Sequence, residues 1–134
     1  MSEAAATSLV GIVLVSHSAE LARGLAALAG QVAGPDVRVE PAGGGPDAGL
    51  GTSADLVESA IARADRGAGV VVLADLGSAV LTVRTVLEHC DGRVRLADAP
   101  LVEGAVAAAV IAAAGQPLDE VLRSAEDARG ARKF

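Results

Sequence analysis

Aromatic residues are nearly absent from this sequence of 134 residues, since Phe134 is the only one. Its core must therefore consist of alanine, valine, leucine and isoleucine, and little aromatic surface is left for stacking on nucleic-acid bases. Lysine is also scarce, since Lys133 is the only one. The ten arginines are scattered along a chain whose net charge is −6. Without a basic cluster, we expect no nucleic-acid partner.

Cysteine is equally scarce, and a single residue, Cys90, excludes an internal disulfide. With only two histidines beside it, we expect no metal site. Long apolar runs are missing too: the most apolar stretch, residues 105–114, is far short of the roughly 20 residues that span a bilayer. The first nine residues contain Glu3 and no basic residue, unlike a secretory signal. We therefore predict a cytoplasmic protein without a membrane partner.

A short run of apolar, mostly β-branched residues is present at residues 11–15 and stops at Ser16-His17-Ser18. A run without alternation is typical of a parallel strand that is buried on both faces. A helix is predicted over residues 19–32, with Ser18 as its N-cap. The residues at helical spacing that define its predicted apolar face are Leu21, Leu25, Leu28 and Val32.

Strand-like and helix-like segments alternate four times along the chain, which predicts an α/β fold with an open parallel sheet and helices on both faces. The four predicted strands occupy residues 11–15, 37–40, 70–74 and 93–97. We expect the strand order 2-1-3-4, because it places the two most apolar strands in the centre. The alternating arginines of the fourth strand indicate a sheet edge.

The remaining segments define the predicted domain organisation. Residues 1–8 are predicted to be a disordered leader, residues 9–128 one domain, and residues 129–134 a C-terminal tail. The glycine-rich stretch 41–53 is too long for a simple connection and is predicted to be a functional loop, with a merely flexible loop as the alternative. Thr52 or Ser53 should cap the helix that follows it.

The predicted strand order makes His17 and Asp75 neighbours, because each follows one of the two central strands. A carboxylate that accepts a hydrogen bond from one ring nitrogen fixes the tautomer and leaves the other nitrogen as a nucleophile or base. His17 and Asp75 are therefore the candidate catalytic residues. If the electrophile is a phosphoryl group, residues near helix starts would bind its oxygens. These candidate phosphate-binding residues are Ser18, Gly51, Thr52, Gly77 and Ser78.

Structural alternatives remain open for these residues. His17 could be a hydrogen-bonded turn residue, and the segment 75–78 could simply cap a helix. His89 is predicted to be structural at a helix end, Glu103 a first-turn charge, and Cys90 a packing residue. The motifs of three other protein classes are absent. The glycine-rich stretch lacks the lysine of a nucleotide-binding P-loop, and no acidic pair follows the first strand as it does in a receiver domain. No serine-hydrolase elbow is present either.

Four segments together resemble a known family. They are residues 11–18 (GIVLVSHS), 49–53 (GLGTS), 75–82 (DLGSAVLT) and 99–104 (APLVEG). In this order they resemble the phosphoryl-carrier subunits (DhaM) of phosphotransferase-system-dependent dihydroxyacetone kinase, whose domain is similar to the mannose-family IIA domain. The resemblance covers about residues 9–127.

The resemblance implies that His17 is phosphorylated at Nε2 by the phosphohistidine of the carrier protein HPr, and that Asp75 supports the ring. The phosphoryl group would then pass to ADP, held with Mg on the nucleotide-binding kinase subunit, and the regenerated ATP would phosphorylate dihydroxyacetone (glycerone). It also implies a homodimer and no cofactor on this chain. Many family members continue into HPr-like and Enzyme I-like domains, so we expect a separate donor protein here. The mannose-type domain adds a strand where residues 118–128 predict a helix.

The residues themselves leave other function classes open. A non-catalytic anion- or nucleotide-sensing module of the same fold would also place polar groups at this sheet edge. An enzyme that uses His17 as a general base is a third possibility. The hypothesis that we favour is a phosphohistidine relay.

Overall fold

The fold is described by a computed structural model that covers residues 8–45, 49 and 51–134. Its strands are β1 (Gly11–Ser16), β2 (Val39–Gly43), β3 (Val70–Ala74) and β4 (Val94–Leu96). Its helices are α1 (Ala19–Ala33), α2 (Ala54–Ala64), α3 (Gly77–Leu87), α4 (Leu101–Ala113) and α5 (Leu118–Asp127), followed by a short 3₁₀ turn (Ala128–Gly130). The predicted leader lies outside the described residues apart from Ser8, and the predicted division of the chain at residues 8 and 128 stays a prediction.

The four strands form one parallel sheet in the order β2-β1-β3-β4, as predicted. Strands β1 and β3 lie side by side in the centre, with Ile12 opposite Val71 and Val15 opposite Ala74. Strand β4 is an edge, in agreement with its alternating arginines. Because parallel strands end at the same side of a sheet, the residues after β1 and β3 are brought together.

Helices cover both faces of the sheet and bury the alternating side chains of β1 and β3. Ile12 and Leu14 pack with Val71 and Leu73 among residues of α1, α4 and α5. Val13 and its neighbours in the strands face the other way, toward α2 and α3. This double coverage explains why the two strands are apolar without alternation.

The buried face of α1 differs from the prediction. The helix presents Ala22, Leu25 and Ala29 to the core, whereas the other three predicted residues are about half exposed: Leu21, Leu28 and Val32. The reason is the short distance between α1 and the sheet, since a Cβ on Gly43 would lie 2.8 Å from the Cβ of Ala22. At this close approach only a small side chain such as that of Ala22 fits, and Leu21 beside it lies on the outer surface.

The position of β2 also corrects the sequence analysis. The strand was predicted at residues 37–40 but begins at Val39 and continues through Pro41 to Gly43, so the first part of the predicted loop is strand. Proline is accepted there because β2 is an edge that pairs with β1 alone among the described strands. The rest of the predicted loop includes residues 46–48 and 50, which lie outside the described residues.

The C-terminal segment forms a helix, as its pattern predicted. Helix α5 begins after Pro117, carries Asp119 and Glu120 in its first turn, and packs against α4. Acidic residues stabilise the positive end of a helix. Within the described residues, this segment therefore adds no strand to the sheet.

A glycine at the start of β1 provides a test of this packing. A Cβ on Gly11 would overlap the carbonyl oxygen of Ala64 at the end of α2. We expect Gly11→Ala to lower the free energy of unfolding by about 1–3 kcal/mol, because overpacking a core displaces backbone. Urea denaturation followed by circular dichroism measures the change. Gly24→Ala is the matched control: no atom lies within 4 Å of its added carbon, so this variant should gain about 0.5–1 kcal/mol from better helix propensity.

Candidate active site

The ends of β1 and β3 place His17 beside Asp75. The backbone N–H of Asp75 donates to the carbonyl of Val15 at 3.1 Å, which fixes the two strand ends against each other. Nδ1 of His17 lies 2.9 Å from Oδ1 of Asp75. The contact that the strand order predicted is therefore confirmed, whereas the chemical roles of the two residues stay predictions.

The carboxylate of Asp75 accepts four hydrogen bonds. Oδ1 accepts from the ring of His17 and from the backbone N–H of Leu76 at 2.7 Å. Oδ2 accepts from the hydroxyl of Ser16 at 2.8 Å and from the backbone N–H of His17 at 3.0 Å. Burial by itself would raise the pKa of this carboxyl, but the hydrogen bonds from Ser16, His17 and Leu76 together lower the pKa below its usual value. Asp75 is thus held in its charged form.

This arrangement determines the state of the imidazole. Because a carboxylate can only accept, Nδ1 of His17 must carry the hydrogen that it donates to Asp75. In the neutral ring Nε2 then keeps its lone pair, and the hydroxyl of Ser78, which it contacts, is the donor in that hydrogen bond. The His17 side chain is 23% exposed, so a reaction partner can reach the ring from the surface.

Helix α3 begins beside Nε2 without a side-chain cap. The N-cap residue Leu76 makes no side-chain hydrogen bond, whereas α1 and α2 are capped by Ser18 and Ser53 at 3.2 and 3.3 Å. The prediction for Ser18 is confirmed, and of the two candidate caps for α2 it is Ser53 that bonds. Uncapped N–H groups at a helix start attract anions, and here they lie next to the ring nitrogen that is not bound by Asp75.

The predicted phosphate-binding residues lie at different distances from the ring. Ser78 contacts Nε2 directly, and Gly77 is the first residue of α3. Gly51 donates its N–H to the carbonyl of His17 at 3.1 Å and has a φ of 129°, which favours glycine. The hydroxyl of Ser18 is used by its cap, and that of Thr52 is hydrogen-bonded to Thr82 at 2.8 Å. Phosphate binding by all five stays a prediction.

Two residues of the site were missed by the sequence analysis. Ser16 was treated only as part of a turn, and Thr82 of α3 only as part of a motif, yet one bonds Asp75 and the other bonds Thr52. A hydroxyl as the last residue of an otherwise apolar strand was the available signal for Ser16. No comparable signal marks Thr82, because its partner is 30 residues away.

A cavity of about 350 Å³ borders Asp75, and His17 is not among its lining residues. It lies between α3 and the segment that follows β4, and its lining includes Leu76, Arg84, Leu96 and Asp98. One basic side chain, Arg84, and two acidic ones, Asp75 and Asp98, thus border a cleft next to the site. No sequence motif predicted this cleft.

The remaining candidates lie outside the site. His89 is exposed just after α3, and the Cys90 thiol, whose pKa is raised by burial, lies 3.6 Å from the carbonyl of Val86. Glu103 is in the first turn of α4, as predicted, and pairs with Lys133 at 3.2 Å. Among the described residues there is no cluster of three or more His, Cys, Asp or Glu side chains that could hold a metal ion. No helix in the described part of the chain is long and apolar enough to cross a membrane.

Comparison with known proteins identifies the family. The family model EIIA-man, described as the PTS system fructose IIA component, matches residues 11–122. The solved structure of the unknown-function protein EF1359 superposes with a TM-score of 0.82 at 32% identity, covering 94% of this chain and 98% of the other. A sigma-54 interaction domain protein from Enterococcus faecalis shares the fold, with a TM-score of 0.71 at 15% identity and coverage of 92% and 93%.

Three curated relatives carry related names. The phosphoryl donor subunit DhaM of a PEP-dependent dihydroxyacetone kinase from Pantoea ananatis is 41% identical over 93% of this chain, but the chain spans only 28% of that protein's length. The corresponding subunit of kinase 2 from Listeria innocua is 38% identical, covering 76% of this chain and 85% of the relative. The phosphotransferase subunit DhaM from Lactococcus lactis is 34% identical, with coverage of 87% and 93%.

The two shorter relatives match over most of their own length, and the family model covers the strands and helices that build the site. The chain therefore belongs to the EIIA-man family and, within it, to the DhaM phosphoryl donor subunits.

Proposed function

We propose that this chain is a phosphocarrier of the phosphoenolpyruvate-dependent phosphotransferase system, which receives a phosphoryl group on Nε2 of His17 and transfers it onward for the phosphorylation of dihydroxyacetone. The observation that carries the proposal is the orientation of the ring: Asp75 holds Nδ1, and the lone pair of Nε2 is directed toward the uncapped start of α3. The names of the DhaM relatives support the same reaction class.

Two transfers would make up the relay. In the first, the lone pair of Nε2 forms a bond to phosphorus while the phosphorus–nitrogen bond of a donor phosphohistidine breaks and its electron pair returns to the donor ring. In the second, a terminal phosphate oxygen of ADP attacks the phosphorus, and the electron pair of the broken bond returns to Nε2. Asp75 stabilises the positive charge on the ring in the phosphorylated state, because Nδ1 keeps its hydrogen bond throughout.

The residues around Nε2 would stabilise the charge on the phosphoryl oxygens. Ser78 gives up its hydrogen bond to Nε2 when phosphorus arrives and can donate to a phosphoryl oxygen instead. The free N–H groups at the start of α3 supply further donors. Phosphoryl transfer depends mainly on such alignment and charge stabilisation, so the chain requires no cofactor of its own.

The proposal includes the partners that the resemblance implies. HPr is the phosphoryl donor, the acceptor is ADP held with Mg on the nucleotide-binding subunit, and the chain acts as a homodimer in the cytoplasm. A sensing module of the same fold is less favoured, because binding an anion does not require a ring whose tautomer is fixed by a carboxylate.

Labelling by a reconstituted donor system tests the proposal. With labelled phosphoenolpyruvate, Enzyme I and HPr, we expect acid-labile, base-stable phosphate on the wild type and none on His17→Ala. His89→Ala is the matched control, because this second histidine is exposed outside the site, and it should be labelled like the wild type. An unlabelled wild type, or a labelled His17→Ala variant, would contradict the proposal.

Replacing the carboxylate tests the role of Asp75. We expect Asp75→Asn to slow phosphoryl transfer from HPr about 10–100-fold, because a hydrogen bond to a charged group contributes about 1.5–3 kcal/mol. The amount of labelled protein in samples quenched at successive times gives the rate. Asp119→Asn, which removes an exposed carboxylate on α5, should transfer at the wild-type rate. Equal rates for Asp75→Asn and the wild type would exclude the orienting role.

The lowered pKa of Asp75 predicts a pH-dependent contribution to stability. A carboxyl whose pKa is lower in the folded state stabilises the fold above its ordinary pKa of about 4, and this contribution is lost as the pH falls through the lowered value. The wild type should therefore be more stable than Asp75→Asn near neutral pH, and the difference should shrink in acid. Thermal unfolding at a series of pH values measures it, and a difference that does not change with pH would contradict the prediction.

A further inference from the structure

We propose that Ser16 is a positioning residue of this site: its buried hydroxyl holds one oxygen of Asp75 so that the other oxygen faces Nδ1 of His17. The consequence for transfer rates rests on the function proposed above. The geometric consequence, a fixed ring tautomer, does not depend on any phosphoryl donor and can be tested separately.

The burial of Ser16 is the first observation. The residue is 1% exposed, and it is the one fully buried polar residue in the described part of the chain. The other residues of β1 are glycine or aliphatic. A hydroxyl in such surroundings is unfavourable unless it is hydrogen-bonded, so its presence requires a partner that compensates for its burial.

The partners of Ser16 determine the direction of its hydrogen bonds. The hydroxyl oxygen accepts from the backbone N–H of Ser18 at 3.0 Å. The hydroxyl hydrogen is then directed to Oδ2 of Asp75, 2.8 Å away, because a carboxylate can only accept. In this one orientation the hydroxyl both donates and accepts a hydrogen bond. It thereby connects the end of β1 to the turn before α1 and to the carboxylate of Asp75.

This connection limits the rotation of the Asp75 carboxylate. Oδ2 is bound by the Ser16 hydroxyl and the backbone N–H of His17, and Oδ1 is bound by the N–H of Leu76 and the ring. The backbone of Ser16 is itself fixed, since its carbonyl accepts from the N–H of Gly44 at 3.1 Å. Without the hydroxyl, Oδ2 would keep one backbone donor, and the carboxylate would hold the ring less firmly.

The ring tautomer of unphosphorylated His17 is the decisive measurement. In ¹⁵N-labelled protein at about pH 8.5, where free imidazole is neutral, long-range ¹H–¹⁵N spectra distinguish hydrogen on Nδ1 from hydrogen on Nε2. We expect the wild type to populate the Nδ1–H form almost alone, and Ser16→Ala to gain a clearly measurable Nε2–H population. Thr85→Ala is the matched control, because its hydroxyl bonds the carbonyl of Leu81 away from the ring, and it should match the wild type.

Transfer rates and a conservative variant complete the test. Ser16→Ala should accept phosphate from HPr about tenfold more slowly, equivalent to about 1.4 kcal/mol, and Ser16→Thr, which keeps a hydroxyl, should recover most of the rate and the tautomer. If Ser16→Ala does not fold, Ser16→Cys, with a weaker donor of similar shape, should shift the tautomer in the same direction. A wild-type tautomer in the folded Ser16→Ala or Ser16→Cys variant would overturn the inference. An unlabelled wild type would overturn the proposed function alone.

Discussion

The carboxylate of Asp75 is the group on which the site depends. It receives donors from the end of β1, from the ring of His17 and from the turn before α3, and so connects the two central strands at the edge where they end. A half-buried charge is favourable here because four hydrogen bonds replace the water that burial removes. The same charge places hydrogen on Nδ1, so the position of the carboxylate decides which nitrogen of the neutral ring keeps its lone pair.

Much of this architecture could be predicted from the sequence because it depends on uninterrupted apolar strands. Strands β1 and β3 are covered on both faces, so their residues show no alternation, and this pattern identifies them as the central pair. The contact between His17 and Asp75 follows from that pairing alone. The buried face of α1 could not be predicted in this way. The spacing of apolar residues shows which side of a helix is apolar, but not how close the helix lies to its sheet. Ala22 is buried and Leu21 exposed owing to the close approach at Gly43.

The details of the site were less predictable because they depend on contacts between distant residues. Ser16 bonds a carboxylate 59 residues away, and Ser78 contacts a ring 61 residues away. Each hydroxyl can donate in any direction that rotation allows, so its partner is decided only when the strand ends and the start of α3 are positioned. The prediction for β2 was wrong because it also depended on tertiary position. Pro41 argues against a central strand, but it is accepted in an edge strand such as β2.

The site combines fixed groups with one that can change its partner. Asp75 is held at both oxygens, and the His17 backbone is held by Gly51 and Asp75, so the position of the ring is fixed by groups other than Ser78. The hydroxyl of Ser78 is different, since rotation about one bond can move its hydrogen from Nε2 to a phosphoryl oxygen. Phosphorylation would therefore exchange one hydrogen bond for another instead of losing it. In a phosphocarrier, such an exchange would keep the Ser78 hydroxyl hydrogen-bonded whether or not the group is present.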